Sequence, residues 1–494
     1  MRLTDVMNNI NFEYIGKSGL QEIKINTISY NSRYSKPNDM FVCIKGETVD
    51  GHKYATKAYE KGSRVFIAED TLHLPEDAQV LYVEDSRIAL SKASANFFEH
   101  PTSQIMIVGV TGTKGKTTIT NYISTVLNSA GINTGVIGTN GIFYNGKYED
   151  TANTTPESYE LHKSIRTMVD EGVKCVCMEV SSGGIMMNRV NDVDFDIAVF
   201  TNLSEDHIGP KEHPTFEHYL NCKAKLFTMA KHGIINIDDE YSNEIIKKAT
   251  CNITTFSIEK PSEHRATNIN YSNNINSLGT DYTCSTKDEE FKVHIAPPGV
   301  FNVYNSLAVI AVCEYMNINR DITLKALESA KVKGRVEVIP ALPDATVIVD
   351  YAHNGVSLEN ILQTLKKYDH NRLICLFGSV GGRTKGRRKE LGDIASKECD
   401  LCILTSDNPD FEEPMDIIKD IEVSFKNSKC DYIIEPDRKI AIEKTMKLAR
   451  KGDVIVLAGK GHEEYQLIKG NKIPFNESEI VINAAKLSTF EGNI

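Results

Sequence analysis

The run GVTGTKGKTT, Gly109 to Thr118, constrains this chain more than any other segment. An apolar stretch, residues 104–110, precedes it and predicts a β-strand, and the residues that follow predict a helix to about Ala130. A glycine-rich turn between a strand and a helix is typical of a phosphate-binding loop. Five residues separate Gly109 from Gly115 here, one more than in the usual pattern. The run is therefore a variant loop, defined mainly by TGTKGKTT.

The residue types in this run suit a nucleoside triphosphate. Glycines let backbone N–H groups approach phosphate oxygens, and the N-terminus of the following helix favours an anion. Lys116 can reach the β- and γ-phosphates, and the Thr117 hydroxyl can bind Mg²⁺. The residues expected to contact the nucleotide are Gly112, Thr113, Lys114, Gly115, Lys116, Thr117 and Thr118. The alternative is a turn that binds nothing. The loop alone does not name a reaction, since ATPases, kinases, nucleotide switches and ligases all use one.

The chain length predicts several domains. At roughly 150 residues per domain, 494 residues suggest about three. Short apolar runs and helical stretches up to His100-Pro101 predict a small α/β unit, and strands alternating with helices then indicate a parallel, doubly wound sheet. Residues 253–293 favour a β excursion over helix, and the β-α-β rhythm resumes after Arg335. We expect an α/β protein with domains at 1–102, 103–335 and 336–494.

Composition and charge argue against several classes of protein. With 41% hydrophobic and 25% charged residues, the chain is neither disordered nor fibrous. The net charge of −11 disfavours nonspecific binding to nucleic acid or anionic lipid. No run approaches the ~18 apolar residues of a membrane span, and the first residues do not read as a signal peptide. The 11 cysteines are scattered, so we expect them to be reduced and mostly buried in a cytoplasmic protein.

Two further predicted strands run into polar residues. Residues 175–180 include Glu179 near their end, and residues 195–201 lead into the cluster Asn202-Leu203-Ser204-Glu205-Asp206-His207. In an open α/β sheet the carboxyl ends of the strands form the edge where ligands bind. An acid beside a phosphate loop commonly supplies a second contact to Mg²⁺. Each residue alone could be a loop cap or an exposed acid, but with the loop they predict a metal and nucleotide site.

Taken together, the motifs resemble the Mur ligase family, most closely its MurE type, over nearly the whole chain. Asn31-Ser32-Arg33, the residues from Lys36 to Val42, Lys45-Gly46 and Asp50-Gly51-His52 are similar to segments that the family uses to hold a uridine nucleotide, although Asn31 and Asn38 replace the usual Asp and Gly. The resemblance implies a small N-terminal α/β domain for the UDP-sugar, a central P-loop domain with a parallel sheet, and a C-terminal Rossmann-like domain. The implied UDP-substrate contacts in the first domain are Asn31, Ser32, Lys45, Gly46 and His52.

The central motifs carry the strongest part of the resemblance. The phosphate loop, Asn153-Thr154-Thr155-Pro156-Glu157, Met178-Glu179-Val180-Ser181-Ser182 and the segment from Asn202 to His207 all resemble family motifs. By that resemblance Thr117, Glu179 and His207 serve the magnesium ions. The muramoyl-dipeptide contacts implied are Thr154, Thr155, Ser182 and Arg189. Gly183 departs from the family, which often has His there.

The helix predicted from His213 to Phe227 contains Lys223 and Lys225, which taken alone would be ordinary surface lysines. Tyr219-x-x-Cys222-Lys223 resembles the family's Y-x-x-A-K, whose lysine is carbamylated, so Lys223 is favoured as a metal-binding carbamate over Lys225. The catalytic residues implied are Lys116, Glu179, His207 and Lys223. Further segments are similar to the family's ATP motifs and imply contacts from Asn302, Asn305, Arg335, Asp350 and His353.

Selection of an amino acid is expected in the last third of the chain. The family assigns the equivalent of Arg383 to the amino acid's carboxylate, and Asp407-Asn408-Pro409-Asp410 occupies the D-N-P-R position of enzymes that add meso-diaminopimelate. Asp410 in place of Arg removes a bidentate partner for the distal carboxylate of diaminopimelate and adds repulsion. The implied amino-acid site comprises Arg383, Asp407, Asn408, Asp410, Gly459 and Glu463. Together with the acidic residues Glu412, Glu413, Glu463 and Glu464, this favours L-lysine, with ornithine possible. The alternative is that Asp410 points to solvent, Arg383 or another basic residue compensates, and diaminopimelate is still bound.

The resemblance implies an ATP- and Mg²⁺-dependent ligase that adds an amino acid to UDP-MurNAc-L-Ala-D-Glu through an acyl phosphate. The alternatives are a sister Mur ligase, a folylpolyglutamate synthase, or, from another class, an inactive nucleotide-binding paralogue. The uridine-like segments argue against the folate enzyme, and the GKGHE run at 459–463 argues against both sister ligases. We expect a monomer with no nucleic-acid partner and no membrane insertion.

Overall fold

A computed structural model describes residues 1–46, 49–205, 208–209, 212–271, 279–382 and 385–491, with the backbone alone for 487–491. The chain forms two compact units, Met1–Arg265 with Leu307–Thr323, and Ala266–Ser306 with Leu324–Ile494. The α/β fold class expected from sequence is confirmed. No helix in these ranges is long and apolar enough to cross a bilayer.

The first part of the chain builds a small sheet packed with helices. Its elements are α1 (Leu3–Val6), β1 (Glu13–Ile15), β2 (Ile28–Ser29), β3 (Met40–Val42), a 3-10 turn (Gly51–Tyr54), α2 (Ala55–Glu60), β4 (Val65–Ala68), β5 (Gln79–Tyr82), α3 (Ser86–Phe97) and a 3-10 turn (Pro101–Gln104). The strand order is β1-β5-β4-β3-β2, in which β2 to β5 are parallel and β1 is antiparallel. The Asp85 carboxylate accepts from Arg87 N and Ile88 N, which fixes the start of α3.

A larger sheet follows in the same unit. Its elements are β6 (Met106–Thr111), α4 (Lys116–Ser129), β7 (Thr134–Gly138), β8 (Gly141–Tyr144), β9 (Lys147–Glu149), α5 (Ser158–Asp170), β10 (Cys175–Glu179), α6 (Ser182–Met186), β11 (Phe195–Phe200), α7 (Phe216–Met229), β12 (Ala230–Asn236), α8 (Ser242–Lys248) and β13 (Asn252–Ser257). The order β13-β12-β11-β6-β10-β7 is parallel, and β8 and β9 extend it as antiparallel strands.

The central strands are apolar on both faces because helices cover both sides of a parallel sheet. Register sets Val110 of β6 opposite Glu179 of β10, and Thr111 opposite Phe200 of β11. Three neighbouring strands therefore end at one edge of the sheet. The predicted strands at this edge are confirmed.

Helix α7 begins later than the sequence pattern suggested. Residues from His213 were expected to be helical, but the helix begins at Phe216. Pro214 disfavours helical backbone at the residue before it, and the Thr215 hydroxyl accepts from His218 N as an N-cap. The residues before Phe216 thus form a capped entry to the helix.

The next elements cross from one unit to the other. They are β14 (His264–Tyr271), β15 (Thr280–Ser285), β16 (Glu290–Ile295), α9 (Val300–Tyr315) and α10 (Arg320–Ser329). The start of β14 pairs with β13, and β15 pairs with β16 in an antiparallel hairpin. The β excursion expected within residues 253–293 is confirmed.

The last part of the chain forms a doubly wound sheet. Its elements are β17 (Glu337–Ile339), β18 (Thr346–Asp350), α11 (Gly355–Leu365), β19 (Leu373–Phe377), α12 (Lys385–Glu398), β20 (Leu401–Leu404), α13 (Pro414–Glu422), a 3-10 turn (Val423–Phe425), β21 (Asp431–Ile434), α14 (Arg438–Leu448), β22 (Val454–Ala458), β23 (Tyr465–Ile468), β24 (Asn471–Pro474) and α15 (Glu477–Glu491). The order is β17-β18-β22-β19-β20-β21, parallel except at β17, and β23 and β24 form a separate hairpin.

Buried cysteines contribute to these cores as small apolar side chains. All 11 are free thiols, and Cys251 alone is not fully buried. Cys399 and Cys402, the pair with C-x-x-C spacing, lie in the core of the last sheet. The expectation that most cysteines are core residues is confirmed.

Candidate functional site

The run Gly109–Thr118 forms the end of β6, a tight loop and the first turn of α4. Gly112 has φ +147° and Gly115 has φ +87°, conformations that favour glycine. A Cβ on Gly112 would lie 1.9 Å from the Thr201 hydroxyl oxygen, so a larger residue does not fit. Helix α4 begins at Lys116, directly after the loop. This arrangement suits a phosphate group.

Residues that follow β11 hold the loop in place. The backbone N–H of Thr113 donates to the Asn202 carbonyl oxygen at 2.8 Å. The backbone N–H of Lys114 donates to the Asn202 side-chain oxygen at 2.9 Å, and Ser204 N donates to the Thr113 hydroxyl at 3.0 Å. The polar cluster that the sequence places after β11 therefore contacts the loop.

Two lysines converge on the loop. The ammonium of Lys116 donates to the carbonyl oxygens of Gly112 and Thr113 at 2.8 and 3.1 Å. Lys223, which is 1% exposed on α7, donates to the same Gly112 oxygen at 2.9 Å. Its ammonium also lies 4.5 Å from the centre of the Tyr219 ring. A buried lysine therefore sits against the phosphate loop.

Glu179 ends β10 beside the first turn of α4. The Thr117 hydroxyl donates to its Oε1 at 2.9 Å, Thr139 N donates to Oε1 at 2.9 Å, and the Thr139 hydroxyl donates to Oε2 at 3.2 Å. The Thr139 and Thr154 hydroxyl oxygens are 3.0 Å apart. A hydroxyl and a carboxylate in contact are the oxygen donors that Mg²⁺ prefers. His207, the third expected metal ligand, lies outside the described residues.

The TTP segment and Arg189 form a compact group around β10 and α6. The hydroxyl of Thr155, which is fully buried, donates to the last carbonyl oxygen of β10 at 3.0 Å. Arg189 donates to Glu157 at 2.8 Å and to the Thr155 carbonyl oxygen at 3.1 Å. Ser182 is the first residue of α6 and is buried. Of the expected dipeptide contacts, Thr154 and Arg189 are half-buried and thus accessible in part, whereas Thr155 and Ser182 are buried.

Three residues near this group were not assigned a role from sequence. Thr139 binds Glu179, Glu157 pairs with Arg189, and Arg87 on α3 lies 3.4 Å from Glu157. The position of Thr139 could have been found, because it directly follows β7 at the same edge of the parallel sheet. Arg87 carries no such signal in the sequence.

The expected uridine-binding residues follow parallel strands of the first sheet. Asn31 and Ser32 come after β2, and Lys45 and Gly46 come after β3, so they lie toward one edge of that sheet. Lys45 forms ion pairs with Asp70 at 2.9 Å and Glu69 at 3.2 Å.

Both ring nitrogens of His52 form hydrogen bonds that fix the orientation of the imidazole. Its Nδ1 lies 2.7 Å from the Asp50 carboxylate, and its Nε2 accepts from Glu69 N and Asp70 N at 3.0 and 3.2 Å. His52 and Lys45 therefore share contacts with one turn after β4, and Nδ1 carries the proton that Asp50 accepts.

The remaining expected ATP residues lie in the second unit. Asn302 donates to the Pro298 carbonyl oxygen at 2.8 Å, and Asn305 donates to the Asn302 side-chain oxygen at 3.1 Å. The Asp350 carboxylate accepts from Val336 N and Ala352 N, both at 2.8 Å. Burial raises the pKa of Asp350. These contacts tie the end of β18 to the segment after Arg335.

Arg335 lies over the ring of Tyr351, with the guanidinium carbon 4.7 Å from the ring centre. Its Nε is buried and has no hydrogen-bond partner among the described residues. The centres of the His353 and His462 rings each lie 4.7 Å from the centre of the Tyr351 ring. Burial and the nearby Arg335 lower the pKa of His462 to about 4, so its imidazole is neutral at pH 7. The group offers an aromatic, cationic surface for a ligand.

The expected amino-acid residues surround a buried lysine, Lys460, for which the sequence predicted no role. Lys460 is fully buried and donates to Asn408 Oδ1 and Glu463 Oε2, both at 2.8 Å. Asn408 donates to the same Glu463 oxygen at 2.9 Å. Gly459 has φ +116°, and a Cβ there would lie 2.7 Å from Asp407 Oδ2. Burial raises the pKa of Asp407.

Asp410 contacts a segment that is distant in sequence, which its charge alone did not predict. Its Oδ1 accepts from Gly470 N at 2.8 Å, in the turn of the β23–β24 hairpin. Its backbone bonds to Leu467 and Lys469 at 2.9 and 2.8 Å, with φ +50°. The carboxylate therefore caps a turn. Arg383, its expected partner in amino-acid binding, lies outside the described residues.

Comparison with known proteins covers most of the chain. Three family models match it: "Mur ligase family, catalytic domain" at residues 24–101, "Mur ligase middle domain" at 110–313, and "Mur ligase, glutamate ligase domain" at 334–461. A curated relative from Clostridium perfringens, UDP-N-acetylmuramoyl-L-alanyl-D-glutamate–2,6-diaminopimelate ligase, is 41% identical over 492 residues, covering 97% of this chain and 99% of its own.

Solved structures agree with these matches. A structure of a UDP-N-acetylmuramoyl-L-alanyl-D-glutamate–2,6-diaminopimelate ligase aligns with a TM-score of 0.72 and 27% identity, over 99% of both chains. The MurF ligase of Thermotoga maritima in complex with ADP aligns with a TM-score of 0.62 at 19% identity, over 95% of this chain and 99% of that one. The second likeness concerns the fold alone.

Proposed function

Because the chain belongs to the Mur ligase family, we propose that it joins an amino acid to UDP-MurNAc-L-Ala-D-Glu at the expense of ATP. The observation that carries this proposal is the contact between Thr117 and Glu179 beside Lys116 and Lys223. Thr117 and Glu179 offer two oxygen ligands for a hard cation, and the two lysines add positive charge. Phosphoryl transfer requires such neutralisation of phosphate charge.

The proposed amino acid is diaminopimelate, the substrate in the name of the 41% identical relative. The preference for lysine rested mainly on the negative charge of Asp410, with neighbouring glutamates as further support. That carboxylate accepts a hydrogen bond from a hairpin turn, which weakens the argument for repulsion of a substrate carboxylate. Lysine and ornithine remain the alternatives for direct comparison.

In the proposed reaction, the D-glutamate carboxylate attacks the γ-phosphorus of ATP, and ADP leaves. The amine of the incoming amino acid then attacks the acyl carbon, loses a proton and displaces phosphate. This chain's part in the first step is charge neutralisation and positioning: Lys116 binds the phosphates, and the N-terminus of α4 helps to hold them in line. Magnesium, when bound, would neutralise phosphate charge from Thr117, Glu179 and His207.

Lys223 is proposed to act as a carbamate. Its neutral amine would add to CO₂, forming an N–C bond and releasing a proton, which turns a cation into an oxygen ligand. Burial of the side chain against the phosphate loop supports this, since an ammonium at that position could only repel a metal ion. The flanking Lys225 is exposed, which makes it a poorer candidate.

The division of labour proposed for the chain follows its three family models. Residues 1–102 hold the UDP-sugar, 103–335 bind ATP and metal, and 336–494 bind the amino acid. The hydrogen-bonded group of Asn408, Lys460 and Glu463 supports the last assignment, because it presents fixed polar side chains of both charges.

The proposal is tested by phosphate release from ATP and Mg²⁺ with UDP-MurNAc-L-Ala-D-Glu and, in turn, diaminopimelate, lysine and ornithine. We expect rapid release with diaminopimelate alone, together with an amide product of the corresponding mass. Release with lysine alone would contradict the choice of amino acid. No release with any of the three would contradict the ligase proposal and favour an inactive paralogue. Lys116→Ala serves as the inactive control.

A further inference from the structure

Two histidines and a cysteine meet at the start of helix α7. His213 Nδ1 lies 2.9 Å from His218 Nδ1, and Cys222 Sγ lies 3.9 Å from the same nitrogen. All three ligand atoms lie within 4.8 Å of one another. This group is separate from the magnesium ligands proposed above and has no part in the proposed reaction.

The sequence brings these side chains together by simple geometry. His218 and Cys222 are four residues apart on α7, so they share one face of the helix. His213 precedes the Thr215 N-cap, and its carbonyl oxygen accepts from Gly209 N at 3.1 Å, which anchors the entry to the helix. His213 and Cys222 are 2% and 8% exposed, whereas His218 is half-buried. Of the three side chains, His218 is therefore the most accessible to solvent.

We propose that His213, His218 and Cys222 form a binding site for a zinc-like divalent transition metal. Two imidazole nitrogens and a thiolate are ligands that zinc binds at about 2.0–2.1 Å and 2.3 Å. The observed separations are close to those of a tetrahedral site, so small side-chain rotations suffice. Three protein ligands leave a fourth position for water.

The ligand atoms of this site differ from those of the proposed magnesium site. Mg²⁺ selects oxygen ligands, whereas thiolate and imidazole select zinc and related ions. On binding, Cys222 releases its thiol proton, and each imidazole keeps one proton on Nε2 while Nδ1 donates its electron pair to the metal. The step needs no oxidant or other co-reactant.

An occupied site would adjoin the phosphate loop. The His213 ring centre lies 5.0 Å from that of Tyr219, whose hydroxyl oxygen is 3.1 Å from the Thr113 hydroxyl. Lys223 follows Cys222 directly on the helix. The metal would therefore restrain the two side chains that connect α7 to the loop. This inference does not rest on the proposed ligase activity.

Cobalt binding tests the site without any substrate. Bound metal is first removed from the full chain with a chelator, and the chelator is then removed. The chain is titrated with Co²⁺, and absorption is recorded in the near-ultraviolet and visible regions. We expect one equivalent to give a thiolate-to-cobalt band with the visible bands of tetrahedral Co²⁺, and one equivalent of Zn²⁺ to remove both. Absence of the thiolate band in the native chain would overturn the proposal.

Variants identify the ligands. Cys222→Ala should lose the band entirely, and Ala is the residue of the resembling family motif, so the fold should tolerate it. His218→Ala should bind at least about tenfold more weakly, since even outer-shell partners of metal ligands contribute that much. Cys251→Ser, which alters a partly buried cysteine in the same unit, is the matched control and should bind as the native chain does.

Glu179→Gln distinguishes the two kinds of metal site. It removes a proposed magnesium ligand and should leave the cobalt–thiolate band intact. A band that persists in Cys222→Ala, or that disappears in Glu179→Gln while circular dichroism shows a native fold, would place the cobalt elsewhere and contradict the assignment.

Discussion

The ammonium groups of Lys116 and Lys223 donate to one oxygen, the carbonyl of Gly112, at 2.8 and 2.9 Å. One lysine belongs to the phosphate loop and the other to α7, so the contact joins two elements that are distant in sequence. The two ammonium groups therefore lie close together against the phosphate loop. A phosphate group bound at the loop would lie near both side chains, and conversion of Lys223 to a carbamate would change the sign of the charge contributed by α7.

Replacement of Lys223 tests its proposed role as a carbamate. Lys223→Ala should lower kcat by about 10²–10³-fold, the usual cost of losing one group that stabilises charge in the transition state. Added short carboxylates should restore part of the activity, because they can occupy the vacated ligand position. The measurement is phosphate release with and without added acetate or propionate.

Lys225→Ala is the matched control, since Lys225 is exposed on the same helix. It should keep native activity and show no response to carboxylates. Full activity in Lys223→Ala would remove the carbamate from the mechanism, and equal losses in the two variants would indicate a general effect on α7.

Replacement of Glu179 tests the proposed magnesium ligand. Glu179→Gln retains an oxygen for Thr117 and Thr139 but removes the negative charge. We expect kcat to fall by about 10²-fold and the Mg²⁺ concentration for half-maximal activity to rise. Phosphate release measured across a Mg²⁺ series gives both values.

Glu171→Gln provides the comparison, because Glu171 pairs with Lys147 on the surface of the same unit. Its magnesium dependence should match that of the native chain. An unchanged magnesium requirement in Glu179→Gln would show that this carboxylate positions threonine side chains and does not bind the ion.

The edge of the central sheet could be predicted because parallel strands share a direction. Once β6, β10 and β11 are recognised, the residues after them must lie at one edge, and the contacts of Thr117, Glu179 and Asn202 follow. The tight loop could also be predicted from its glycines. Gly112 and Gly115 have positive φ angles, which are a local requirement of the turn and favour glycine.

Contacts between distant segments of the last sheet could not be predicted in the same way. Lys460 lies between two glycines, and nothing in its neighbours predicts that it is fully buried, with Asn408, 52 positions away, and Glu463 binding its ammonium. Asp410 reads as a free charge, yet it caps a turn 60 positions away. Such pairings depend on how a hairpin packs on the sheet, which local patterns do not encode.

Asp410 provides a test of whether its charge or its turn contact matters. Asp410→Asn keeps an acceptor for Gly470 N, tolerates the positive φ and removes the charge. We expect it to preserve both stability and the preference for diaminopimelate over lysine. Asp410→Ala should lower the free energy of unfolding by about 1–2 kcal/mol, since it loses a hydrogen bond and is strained at that φ.

The measurements for Asp410 are urea unfolding and the ratio of kcat/KM for the two amino acids. Asp410→Asn and Asp410→Ala form a matched pair, because both lack the charge and only one lacks the acceptor. A tenfold or larger change in the ratio for Asp410→Asn would mean that the carboxylate itself selects the amino acid, by at least about 1.4 kcal/mol.

Burial of the His162 imidazole should make the folding stability of the protein depend on pH. His162 is fully buried on α5, and neither ring nitrogen has a hydrogen-bond partner among the described residues. Burial lowers the pKa of His162 from 6.5 to about 4. In the unfolded chain the imidazole therefore takes up a proton at higher pH than in the folded chain, so stability present above pH 6.5 is lost as the pH falls toward 4.

Substitution of His162 by an apolar residue of similar size should remove this loss. Between pH 7 and pH 4 the free energy of unfolding of the native chain should fall by up to roughly 3 kcal/mol more than that of His162→Leu. Urea unfolding of the first unit, followed at several pH values, measures the difference. His73→Gln, which alters an exposed histidine, should retain the native pH dependence. If His162→Leu and the native chain lose stability in parallel, the buried imidazole is not the group that titrates, and carboxylates paired in the folded chain would account for the acid sensitivity.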